Sequence, residues 1–136
     1  MVATEDERTI LVVEDDAAIA DLLGWVLGDA GYRVHSASTV AAAMELVETS
    51  RPAVVVADLM LPDGSGSEVV ERVKADSGRD VAAIVMSAHP EAREHARRAG
   101  ADACLPKPFD LDDLYATIDG LLSRSDHDCR PSPELS

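Results

Sequence analysis

Three observations predict a parallel α/β fold, a doubly wound five-stranded sheet with helices on both faces. Short runs that are apolar on both faces recur along the chain, segments of helical period lie between them, and the joints are short. The 136 residues make one domain, large enough to bury a core without disulfide or metal staples.

Ile10 to Val13 reads as the first strand. Ile19, Leu22, Leu23, Val26, Leu27 and Ala30 follow at i, i+3, i+4, i+7, i+8 and i+11, the stripe of an amphipathic helix that Gly31 stops. Trp25 lies at the rim of that stripe, where partial packing is expected, with a contact to a partner protein as the other reading. Tyr32 to Ala37 is a weaker strand, and Val40, Ala43, Met44 and Val47 mark a helix that ends before Arg51-Pro52. Ala53 to Ala57 is a continuous apolar strand that ends in Asp58 beside the turn sequence Leu59-Met60-Leu61-Pro62-Asp63-Gly64.

Val69, Val70 and Val73 mark the third helix and Val81 to Met86 the fourth strand. The helix from Glu91 to Ala99 has an apolar face of Ala92, Ala96 and Ala99, so it is expected to be the least anchored. Ala103 to Leu105 is a weak fifth strand, followed by the strongest stripe, Leu111, Leu114, Tyr115, Ile118, Leu121 and Leu122. Five β–α pairs in strict alternation imply right-handed crossovers. Residues 1–7 read as an acidic extension, 8–122 as the domain, and 123–136, aperiodic with two prolines, as a disordered tail or the start of a linker.

The 26 acids and 12 bases give a net charge of −14, which opposes direct binding to nucleic acid or an anionic membrane and suits cations and basic partners. No apolar stretch reaches the length of about 18 residues that a membrane span requires, and the acidic N-terminus is unlike a secretory signal. A cytoplasmic location is expected. With one Trp, two Tyr and one Phe, the core must be aliphatic. Cys104 and Cys129 fit neither a metal spacing nor a disulfide framework; Cys104 is expected at the edge of the core and Cys129 in the tail, both reduced.

In a parallel sheet every strand ends at one edge, and ligands collect there. Glu14, Asp15 and Asp16 follow the first strand, Asp58 the third, Ser87 the fourth and Lys107 the fifth. Two carboxylates about 4 Å apart repel by about 4 kcal/mol at an effective dielectric near 20, so the cluster calls for a cation. All-oxygen donors without His or Cys favour Mg²⁺. Asp58 then becomes a candidate nucleophile toward a phosphoryl donor, with Lys107 as a point charge and Ser87 as a hydroxyl donor for the added oxygens. Asp16 is either one of the site acids or the N-cap of the first helix.

Ile10-Leu11-Val12-Val13-Glu14-Asp15-Asp16, the Asp58 to Gly64 segment, Ser87-Ala88, Gly100-Ala101-Asp102 and Lys107-Pro108-Phe109 stand in the order and spacing of one family. Through them residues 8–122 resemble the receiver domain of bacterial two-component response regulators. Each motif is weak singly and the set is highly specific. The resemblance implies a flavodoxin-like (βα)5 sandwich with strand order 2-1-3-4-5. It also implies phosphorylation of Asp58 by a histidine kinase or histidine phosphotransfer protein. Mg²⁺ would be bound by Asp15, Asp58 and the Met60 carbonyl, with Glu14 reaching it through water, and the Lys107–Pro108 bond would be cis.

His89 and Met60 stand where the family tunes phosphoryl lifetime. Cys104, a further candidate modulator, replaces an aromatic residue that usually moves with the hydroxyl residue, and a small thiol cannot sweep out the same volume. Ala103 and the Leu114 to Asp119 run lack the charges of the dimer formed through the fourth helix, fifth strand and fifth helix. A monomer or a weak phosphorylation-dependent dimer is expected, acting on another protein or on a C-terminal domain. The resemblance implies a switch whose only catalysis is its own phosphoryl transfer and autodephosphorylation. The alternatives are a Mg²⁺-dependent phosphatase of the haloacid dehalogenase type, whose nucleophile follows the first strand, and a flavin binder, which the scarcity of aromatics disfavours.

Overall fold

The structure, a computed structural model, describes residues 9–75 and 81–124. Five strands, β1 (Thr9–Val13), β2 (Arg33–Ala37), β3 (Val54–Asp58), β4 (Ala82–Ser87) and β5 (Ala103–Pro106), form one parallel sheet in the order β2-β1-β3-β4-β5. Helices α1 (Ala17–Asp29), α2 (Val40–Ser50), α3 (Gly66–Ala75), α4 (Ala92–Ala99) and α5 (Leu111–Arg124) alternate with them. This is the doubly wound sandwich expected, with its strand order.

Side chains alternate across each strand, so every buried strand feeds two cores. Ile10, Val12, Val54, Val56, Ile84 and Met86 face α1 and α5, where Leu23, Leu27, Leu114 and Ile118 meet them. Leu11, Val13, Val55, Ala57, Ala83 and Val85 face the opposite way, toward Val40 and Ala43 of α2, the valines of α3 and the alanines of α4. The central strands are therefore apolar in both registers, which is why they read as unbroken runs. Tyr115 ties α5 to α1, its hydroxyl donating to the Val26 carbonyl at 2.7 Å. Gly31, at φ 103, ends α1 in a conformation open to glycine.

Three expectations are corrected. Trp25 is 74% exposed and Leu22 45%, so neither packs in the core. With 3.6 residues per turn, Trp25 lies about 200° around α1 from Leu23, on the face opposite the sheet, and Leu22 about 100° away on its flank. The segment after Asp58 is also more than a turn: Met60–Leu61 pairs antiparallel with Gly64–Ser65 in a short ribbon. Helix α5 runs on through Ser123 and Arg124, where the tail was expected to start; the acidic extension, the rest of the tail and Cys129 lie outside the described residues.

Candidate functional site

The C-terminal edge of the sheet is built by register. Asp58 closes β3 opposite Met86, and Ser87 closes β4 opposite Pro106, which places Lys107 one residue beyond. The Lys107 N–H donates to the Ser87 carbonyl at 2.9 Å, and the Lys107–Pro108 bond is cis, as expected. Lys107 Nζ reaches back to Asp58 Oδ2 at 2.6 Å and Glu14 Oε1 at 3.0 Å. Residues at the C-terminal ends of β1, β3 and β5 thus meet at one ammonium group.

Glu14 and Asp58 are buried, at 3% and 7% exposure, whereas Asp15 is exposed. Oxygen atoms of these three acids lie within 4.8 Å of one another. Burial pushes the Glu14 carboxyl above its ordinary value and the neighbouring Asp58 charge adds to the rise; the Asp16 N–H and Lys107 pull against both. Burial alone would depress Lys107, but its hydrogen bonds and charge pairing with Asp58 and Glu14 outweigh this and hold the ammonium above its ordinary value. A cluster of hard oxygen donors, two buried and one open to solvent, suits Mg²⁺, which retains several waters.

The other expected residues divide. Asp16 is the N-cap of α1, Oδ1 accepting from the N–H groups of Ala18 at 3.0 Å and Ile19 at 3.3 Å, and its own N–H donates to Glu14 Oε2. The Met60 N–H donates to Asp58 Oδ1 at 2.9 Å, fixing the carboxylate from its second oxygen, while the Met60 side chain is 67% exposed. Buried Ser87 accepts through Oγ from the N–H of exposed His89 at 3.0 Å. Cys104 is half-buried beside α4, and burial raises its thiol, with Arg93 opposing weakly. A protonated thiol is a poor redox sensor.

The sequence matches the response regulator receiver domain family over residues 10–119. The chain belongs to this family. Response regulator MprA of Mycobacterium sp. (strain KMS) is 38% identical over 130 residues, 93% of this chain and 56% of that protein. MprA of Mycobacterium leprae (strain TN) is 38% identical over 121 residues, 88% of this chain and 53% of that protein. The receiver domain spans about half the length of the curated relatives it matches. Among solved structures, a CheY-like response regulator receiver domain protein from Methanospirillum hungatei JF-1 aligns with TM-score 0.80 and 30% identity, covering 88% of this chain and 96% of that one. Response regulator TrrA from Thermotoga maritima, in complex with Mg(2+)-BeF, aligns with TM-score 0.75 and 28% identity over 84% of this chain and 98% of that one.

Receiver domains bind Mg²⁺ at an acidic pocket, and Glu14, Asp15 and Asp58 form one here. The phosphatase alternative falls with the family assignment. No helix among the described residues is long and apolar enough to cross a membrane.

Three supporting residues were not legible as such in the sequence. A Cβ on Gly66 would stand 2.1 Å from the Asp58 carbonyl oxygen, so only glycine lets α3 begin this close to β3. Asp63, hidden inside a turn signal, binds α2. Lys74 Nζ joins Asp102 Oδ2 at 2.6 Å and the Val81 carbonyl at 2.8 Å, and the same Asp102 oxygen accepts from the Ala83 N–H, tying α3 and the start of β5 to β4. A glycine at the first helical position was the available signal for Gly66; the contacts of Asp63 and Lys74 are distant in sequence and left none.

Proposed function

We propose that Asp58 is the phosphoryl acceptor of this receiver domain and that Glu14, Asp15, Asp58 and the Met60 carbonyl hold Mg²⁺. The observation that carries the reading is the meeting of Asp58 with Lys107 Nζ at 2.6 Å inside the acid cluster. Bound Mg²⁺ would neutralise the carboxylates and offset the charge of an incoming phosphate. An Asp58 oxygen attacks the phosphorus of a phosphohistidine; the O–P bond forms as the P–N bond breaks, and its electron pair returns to the imidazole. Lys107 pairs with the added charge. Ser87 turns its hydroxyl from the His89 N–H toward a phosphoryl oxygen, drawing in the loop that leads to α4.

The donor is a histidine kinase or a histidine phosphotransfer protein in the cytoplasm, and the changed surface acts on an output domain or another protein. The domain is a switch rather than an enzyme with a separate substrate. His89 and Met60, two residues beyond Ser87 and Asp58 respectively, set access of water to the acyl phosphate. Phosphoramidate, a small donor with a P–N bond, tests the transfer. With Mg²⁺ it should leave a base-labile phosphoryl group mapped to Asp58; label on a histidine or serine instead would refute the assignment.

A further inference from the structure

We infer that Asp63 is a positioning residue for the metal site, pinning the ribbon that carries Met60 to the N-terminus of α2. The inference rests on the Mg²⁺ reading above. Asp63 lies at the turn between the two ribbon strands, three residues after Met60. Its carboxylate spans the first helical amides of α2: Oδ1 accepts from Val40 at 2.7 Å and Oδ2 from Ala41 at 3.1 Å. The third amide, Ala42, donates to Thr39 Oγ1 at 3.0 Å, so α2 is capped partly by its own flank and partly by the ribbon.

A second contact joins the same parts. The space beside Gly64 is closed on one side by Glu68, whose Oε2 would lie 2.5 Å from an added Cβ, and on the other by Val40, whose Cγ2 would lie 3.3 Å away, so the ribbon also borders the side chain that opens the helix. At its other end the ribbon starts on the acceptor, through the Met60 N–H on Asp58 Oδ1, and closes through the Gly66 N–H on the Leu59 carbonyl at 3.1 Å. The Met60 backbone is therefore held from the sheet on one side and from α2 on the other. Asp63 is the charged member of the second anchor. Because α2 packs on the face of the sheet opposite α1 and α5, the anchor joins the metal-binding loop to a helix that contributes no acid to the site.

Thr39 provides the control, since its hydrogen bonds cap the same helix and none goes to the ribbon. MgCl₂ titration followed at the Met60 amide by NMR should saturate in the wild type. In Asp63→Ala the midpoint should rise about tenfold, the low end of what losing a supporting hydrogen bond costs a metal site. Asp63→Asn, which keeps one acceptor oxygen, should fall between the two. Thr39→Ala should leave the midpoint within about twofold of wild type. Hydrogen exchange without metal should accelerate at the ribbon amides in Asp63→Ala and not in Thr39→Ala. An unchanged midpoint in Asp63→Ala, or an equal shift in Thr39→Ala, overturns the role of Asp63 and leaves the metal reading standing. A wild type that never saturates overturns the metal reading and this inference together.

Discussion

Lys107 neutralises two buried carboxylates from strands far apart in sequence, so its removal strands charge instead of merely deleting a bond. Lys107→Ala should destabilise the domain by about 3 kcal/mol in metal-free buffer, read by urea unfolding. The same change should tighten Mg²⁺ binding in a direct titration, because the ammonium no longer competes for Asp58 and Glu14. Gly66→Ala should cost about 2 kcal/mol by the same unfolding assay, since its Cβ meets the backbone of β3, which cannot give way as a flexible side chain would. The places of Asp58, Lys107 and Ser87 at one edge were legible in the sequence because each stands at the end of an apolar run of a parallel sheet. Asp16 was not resolved there, since an acid one step outward from a strand serves a metal or a helix cap equally well by position. Trp25 was misread because a helical stripe tolerates an apolar residue at its rim on paper, while about 200° of rotation puts it in solvent.

Elements divide by how much of their order is local. The buried strands and α5 declare themselves through continuous apolar runs or a full helical stripe. The ribbon at Met60–Leu61 and Gly64–Ser65 could not, because two-residue strands have no period to read. Helix α2 takes part of its N-terminal capping from Asp63, more than twenty residues downstream. The Val40 and Ala41 amides hold the Asp63 carboxyl below its ordinary value of 3.8. A folded value below the unfolded one means that the ionised form favours the native state. The contribution is therefore complete above pH 3.8 and is lost as pH falls through the lower, folded value. In thermal unfolding, the gap between wild type and Asp63→Ala should be constant at neutral pH and close in that acid window; a gap that widens on acidification would contradict the capping role. At the opposite end of the sheet the Lys74–Asp102 pair anchors the turn from α4 into β5, so motion of α4 should be largest at its first turn, beside Ser87 and His89.

Both cores lie against one sheet, and the buried charge among the described residues gathers at the strand ends, so stability and site chemistry are coupled there. Among the described residues, the polar and charged groups buried are Thr9, Glu14, Asp58 and Ser87, three of them at the site. Mg²⁺ at about 100 times its dissociation constant should stabilise the fold by about 2.7 kcal/mol, and Asp58→Asn should remove most of that gain. The fold was largely readable because alternation of β and α segments leaves few topologies. The path away from the site was less so, because Cys104 stands where an aromatic residue would mark it. Everything proposed for the site turns on one carboxylate. Incubation with Mg²⁺ and acetyl phosphate, followed by intact mass, should add one phosphoryl group to the wild type and none to Asp58→Asn; no adduct on the wild type, or one that survives the substitution, would contradict it.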